Sequence, residues 1–121
     1  MQNKPKYNFF KNTKYAINGI KDLVKTETSF KIELVIIFLL TIIILFIDTT
    51  LVNQILLFSS LIGILISEAT NSAIERVVDL VILEHNEMAG RAKDVGSAIV
   101  FLSIFLALVV WSTILLNVIL G

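Results

Sequence analysis

The sequence predicts an all-α membrane protein: an N-terminal amphipathic surface helix followed by three transmembrane helices. Three observations carry this reading. Of 121 residues, 56% are hydrophobic and 17% charged, with a mean hydropathy of +0.88, whereas a soluble domain reaches about 45–50% apolar even with glycine counted. The apolar residues are gathered into long uncharged runs, more greasy surface than a water-soluble globule hides. Basic residues concentrate at one end, with seven Lys in residues 1–31.

These features also exclude. Ten Lys and Arg against ten Asp and Glu give zero net charge, which argues against a nucleic-acid binder held by phosphate electrostatics. Without cysteine the chain forms no disulfide, zinc–thiolate site or thiol nucleophile. The first apolar run starts too late for a signal peptide, so it is expected to stay in the mature protein.

Taken in order, residues 1–28 form the arm. Phe9, Phe10, Ile17, Ile20, Leu23 and Val24 recur at three- and four-residue spacings, with Lys11, Lys14, Lys21 and Lys25 between them. One face then lies among lipid headgroups while the lysines meet water and anionic lipid. Pro5 is expected to precede this helix. Leu34–Ile47 supplies fourteen uncharged residues, short for ~30 Å of hydrocarbon, so the first span is drawn back to about residues 29–47. Asp48, Thr49, Thr50 and Asn53 make a brief turn, and the second helix covers about 50–82. Its last part, Glu68 to Val81, keeps helical periodicity without Gly or Pro and should leave the bilayer as an amphipathic rod. A polar connection at Glu84–Gly90 precedes a third span at about 94–120, within 27 uncharged residues from Val95 to Gly121.

No internal repeat or low-complexity linker divides the chain, so residues 1–121 are expected to form one unit. Besides the arm, Arg76, Arg91 and Lys93 are the remaining basic residues. The positive-inside rule then puts the N-terminus and the 68–94 segment in the cytoplasm and the C-terminus outside. Three thin helices shelter few ionisable groups from lipid, so protomers are expected to associate around their polar faces.

The chemistry concentrates at one membrane boundary. Glu68, Asn71 and Glu75 lie on one helical face, with Ser72 and Asp79 on its shoulder. A carboxylate beside hydrocarbon is costly and normally faces a protein interior or cavity. Arg76, Glu84 and Glu87 read instead as a solvated helix end. Arg91, Lys93 and Asp94 form a second cluster before the third span, and cation beside carboxylates points to a phosphate and metal site. Glu27 and Glu33, where the arm meets the first span, are placed to complete it. No Walker loop or GxGxxG fingerprint can be written with the five glycines, and His85 has no nucleophile elbow or metal-spaced partner.

The segments EATNSAIERVVDL (Glu68–Leu80) and EHNEMAGRAKDVGSA (Glu84–Ala98) closely resemble the prokaryotic diacylglycerol kinase family. Tyr15, Gly19 and Glu27–Glu33 also fall in matching places, so the likeness covers almost the whole chain. It implies a homotrimeric helical bundle in a bacterial inner membrane, C-terminus periplasmic, with active sites shared between protomers. The implied reaction is Mg-ATP-dependent phosphorylation of the primary hydroxyl of diacylglycerol to phosphatidic acid, returning diacylglycerol left by envelope synthesis to phospholipid.

By the same resemblance, Glu68 is the general base toward the lipid hydroxyl, Asn71 holds its neighbourhood, and Glu27 and Glu75 bind Mg²⁺. Lys93 and Asp94 contact the nucleotide, Glu84, His85 and Asn86 lie against adenosine, Tyr15 lines the nucleotide site and Ser97 is near the lipid. Two positions depart from the pattern: His85-Asn86 stands where many relatives have Tyr-His, and Asn8 where well-known members have an Arg. Lys11, one turn on, is the nearest substitute for that charge.

Two other functions fit parts of this pattern. Gram-positive relatives phosphorylate undecaprenol, but GRAKDVGSA and the intact Glu84–Gly90 loop look more like the diacylglycerol branch. A non-enzymatic oligomeric channel or adaptor would explain a ring of carboxylates, yet has no need of Asn71, Lys93 and Asp94 beside them.

Overall fold

In the computed structural model, which describes residues 6–121, the chain is helical in four segments: α1 (Phe9–Thr26), α2 (Thr28–Phe46), α3 (Leu51–Val81) and α4 (Glu87–Leu120). No strand occurs among the described residues. The expectation for Pro5 falls outside them. α1 is started by Asn8, whose side chain accepts from the Lys11 N–H at 3.1 Å, satisfying one of the donors a helix start leaves unpaired.

One residue separates α1 from α2. Glu27 has extended backbone angles (φ −109°, ψ 104°), yet its N–H donates to Leu23 O and its carbonyl accepts from the Lys31 N–H. It therefore ends one helix and begins the next, and the chain turns without Gly or Pro. No α1 residue is buried, and Phe9, Phe10, Ile17 and Ile20 remain exposed in the isolated chain, as an interfacial helix requires.

α2, α3 and α4 are each long and apolar enough to cross a membrane. At 1.5 Å per residue the 31 residues of α3 and 34 of α4 run well past ~30 Å of hydrocarbon. The α2–α3 turn is closed by polar side chains. Thr50 Oγ1 accepts from the Asn53 N–H, Asn53 Nδ2 donates to Thr49 Oγ1, and Gln54 Nε2 donates to the Ile44 carbonyl at 3.0 Å.

Ile37 and Ile44 of α2, Leu57 and Leu61 of α3, and Ile114 of α4 form the core. Trp111 Nε1 donates to Ser60 Oγ at 3.0 Å, a polar tie between α4 and α3 inside the apolar region. The outward faces carry Phe38, Leu39, Leu45, Phe101, Phe105 and similar residues, the surface expected where the surrounding solvent is lipid.

α4 starts at Glu87, earlier than the 94 suggested by the apolar run. Asn86 explains the start: its side chain accepts from the Ala89 N–H at 3.1 Å, and Glu87 places an acid in the first turn. The polar half of the expected Glu84–Gly90 connection is thus helical from Glu87 onward.

Candidate active site

The polar face of α3 meets the α1–α2 kink at one end of the bundle. There a cavity of about 130 Å³ is lined by Glu27, Ser29 and Phe30 from the kink and by Glu68, Asn71, Ser72 and Glu75 from α3. The α3 residues come together because positions three, four and seven apart share a helix face. Glu27 joins them because its extended backbone leaves the helical path and lets its side chain cross to α3.

Glu27 is fixed by two donors. Ser72 Oγ donates to Glu27 Oε1 at 2.7 Å, and Arg76 Nη2 donates to the same oxygen at 3.2 Å. The Ser72 hydroxyl, and after it the Arg76 guanidinium, hold the Glu27 carboxyl below the usual carboxylate range. Arg76 also donates to Thr26 Oγ1 at 2.9 Å and pairs with Asp22.

Asn71 Nδ2 donates to Glu75 Oε1 at 3.3 Å, while Asn71 Oδ1 is buried with no hydrogen-bond partner among the described residues. That oxygen lies against Gly96 of α4, where a Cβ would stand 2.3 Å away. Glu33 of α2 neighbours the Glu68 carboxylate, and its Oε2 is likewise buried without a partner among the described residues. Buried polar atoms are nearly always paired, and these two exceptions fall on Asn71, which lines the cavity, and on Glu33, the neighbour of its Glu68.

Glu27, Glu68, Asn71 and Glu75 therefore share a cavity, and the other expected site residues do not line it. Lys93 Nζ pairs with Asp79 Oδ1 at 2.6 Å on the neighbouring stretch of α3 and α4, with Glu75 the next carboxylate in its field. Glu84, His85 and Asn86 line a separate crevice of about 360 Å³ with Val81, Ile82 and Leu83. Tyr15 is exposed on α1, and Asp94 and Ser97 lie on α4, lining neither space. Asn8, the position lacking an Arg, serves as the α1 cap.

Arg76 is exposed, as expected of a solvated helix end, and it also bridges to Asp22, Thr26 and Glu27, about fifty residues earlier in the chain. The spacing along α3 gives its helix face but carries no information about the charge waiting on α1. Glu33 deserves a place beside the quartet, since it neighbours Glu68.

No group of three or more His, Cys, Asp or Glu at metal-holding distance occurs among the described residues. Two carboxylates, Glu27 and Glu75, on one cavity nevertheless suit a hard divalent cation that takes its remaining ligands from phosphate and water.

The family model for prokaryotic diacylglycerol kinase matches residues 14–115. The Haemophilus influenzae protein named diacylglycerol kinase is 39% identical over 104 residues, covering 86% of this chain and 88% of its own. The Escherichia coli K12 protein of that name is 38% identical over 101 residues, 84% and 83% of the two chains. The Pseudomonas aeruginosa one is 35% identical over 106 residues, 87% and 85%. The matched region contains every residue that lines the carboxylate cavity, and the chain belongs to the prokaryotic diacylglycerol kinase family.

Proposed function

We propose that this protein phosphorylates the primary hydroxyl of diacylglycerol with ATP, giving phosphatidic acid and ADP. The observation that carries the reading is the convergence of Glu27, Glu68, Asn71 and Glu75 on one cavity where the polar part of α3 leaves its apolar part. A lipid hydroxyl reaches such a site from the bilayer and ATP from water. Phosphoryl transfer demands mainly positioning and charge stabilisation, so a site this small suffices without a soluble kinase fold.

In this reading Glu68 takes the proton of the lipid hydroxyl as its oxygen bonds to the γ-phosphorus and the bond to the ADP oxygen breaks. Asn71, bonded to Glu75, keeps both side chains oriented. Glu27 and Glu75 would hold Mg²⁺, which when bound would supply charge neutralisation for the phosphates. Lys93 leaves Asp79 to meet the phosphates as a point charge, with Asp94, Tyr15 and the Glu84–Asn86 loop on the nucleotide and Ser97 toward the lipid. The separation of the 84–86 crevice from the carboxylate cavity supports sites completed by neighbouring protomers, and the family resemblance implies that the assembly is a homotrimer. The basic arm supports a cytoplasmic-membrane protein with its N-terminus and site on the cytoplasmic side and its C-terminus in the periplasm.

The test is transfer of labelled γ-phosphate from Mg-ATP to diacylglycerol and to undecaprenol in parallel, with purified protein in lipid vesicles. Preferential labelling of diacylglycerol is expected. Labelling of undecaprenol alone would move the protein to the polyprenol-phosphorylating branch, and labelling of neither would favour a channel or adaptor.

A further inference from the structure

Among the described residues, every hydrogen bond or ion pair joining α1 and the Glu27 kink to α3 ends on Ser72 or Arg76. Apolar packing does little to hold them. α1 buries no side chain, and between the arm and α3 lies a crevice of about 320 Å³ bordered by Ala16, Gly19 and Ile20 on one side and Ala69 and Ala73 on the other. Leu23 also borders this crevice, and it and Val24 are the only apolar residues of α1 that are even half-buried, so the arm's apolar hold is slight. Arg76 spans the end of that gap with one planar group on three acceptors: Asp22, Thr26 Oγ1 and Glu27 Oε1.

The distribution of contacts on Glu27 is also specific. Both Ser72 and Arg76 donate to Oε1, and no hydrogen bond among the described residues falls on Oε2. The carboxylate is thus held through one oxygen only.

We propose that Arg76 is a positioning residue: by locking the arm through Asp22 and Thr26 and gripping Glu27 Oε1, it presents Glu27 Oε2 to the divalent cation. This rests on the reading of Glu27 as a cation ligand. The sign of the effect separates positioning from plain charge. A guanidinium beside a carboxylate repels a cation, so deleting it would tighten cation binding if charge alone mattered. If orientation matters, deletion weakens binding. Lysine keeps the charge but has no fork to hold three acceptors together, so it should not restore the parent behaviour.

The test titrates Mn²⁺ by electron paramagnetic resonance into the full-length protein in phosphatidylcholine vesicles with a non-hydrolysable β,γ-imido ATP analogue. Circular dichroism checks the fold of each variant. Arg76→Ala and Arg76→Lys should both weaken Mn²⁺ binding, by about two- to fivefold given that the pairs are exposed. Asp22→Asn, which leaves Arg76 and Glu27 intact, should weaken it by a smaller factor and covers the case in which Arg76→Ala misfolds. Unchanged or tighter binding in Arg76→Ala, or in Asp22→Asn should the former misfold, overturns the proposal, as does parent-like binding in Arg76→Lys. Glu27→Gln distinguishes the underlying reading. If it binds Mn²⁺ like the parent, the cation site itself is wrong; if it loses binding while Arg76→Ala does not, only the positioning role falls.

Discussion

Gly96 lies so close to Asn71 that a Cβ added to it would stand 2.3 Å from the amide oxygen. Asn71 is also the donor to Glu75, so the absence of a side chain at residue 96 lets α4 approach the cavity without displacing the amide. Gly96→Ala should push Asn71 from its bond to Glu75. A displacement of this size at a reacting centre costs tenfold or more, so kcat is expected to fall by about that factor with the helical content unchanged. Gly90→Ala, where nothing lies within 4 Å, is the control and should leave kcat within about twofold of the parent, since a helical Gly→Ala change is neutral or mildly stabilising. Equal rates in the parent and Gly96→Ala would refute the packing argument.

Ser60 and Trp111 predict a purely structural effect. Ser60→Ala removes the acceptor of the indole N–H within the apolar region, where an unpaired donor finds no water. Such interhelical bonds contribute about 0.6–2 kcal/mol. Thermal unfolding in detergent should shift down, while kcat and KM below the transition stay as in the parent.

Lys93 predicts the reverse pattern. Its pair with Asp79 is exposed on both sides, and exposed pairs contribute about 0–1 kcal/mol. Lys93→Met should therefore unfold at nearly the parent temperature yet raise the KM for ATP by about tenfold or more, because a phosphate loses its counter-charge. A variant that melts early with an unchanged KM would make Lys93 a structural residue.

Acid should undo the kink contact in a defined direction. The Glu27 carboxyl is held below its usual range, first by Ser72 and then by Arg76. A lowered folded value means the stabilisation is present above the ordinary carboxylate range and is lost as pH falls through the lowered value. In metal-free protein, Ser72→Ala should melt below the parent at pH 7, with the gap closing below pH about 4. A gap that persists or widens in acid would contradict the assignment of that hydrogen bond to the ionised carboxylate.

Much of the fold is legible in the sequence because a span is a local property: length, lack of charge and flanking polar residues define α2, α3 and α4 without reference to any partner. Glu68, Asn71 and Glu75 are legible for the same reason, being neighbours on one helix. The start of α4 is less so, since the Asn86 cap outweighs the polar composition of Glu87–Asp94. Least legible is Arg76, whose meaning lies in Asp22, Thr26 and Glu27 across a chain separation that no periodicity spans. Asp94, Ser97, Tyr15 and the 84–86 loop carry family resemblance but do not meet the quartet within one chain.

The decisive experiment is rapid-quench single-turnover phosphorylation of diacylglycerol by Glu68→Gln, with nucleotide and lipid binding measured on the same preparation. If Glu68 is the base at a boundary site, transfer should fall by at least about a hundredfold, as loss of a general base implies, while both ligands bind within about twofold of the parent. Near-parent transfer in Glu68→Gln would contradict the catalytic role given to the α3 cavity.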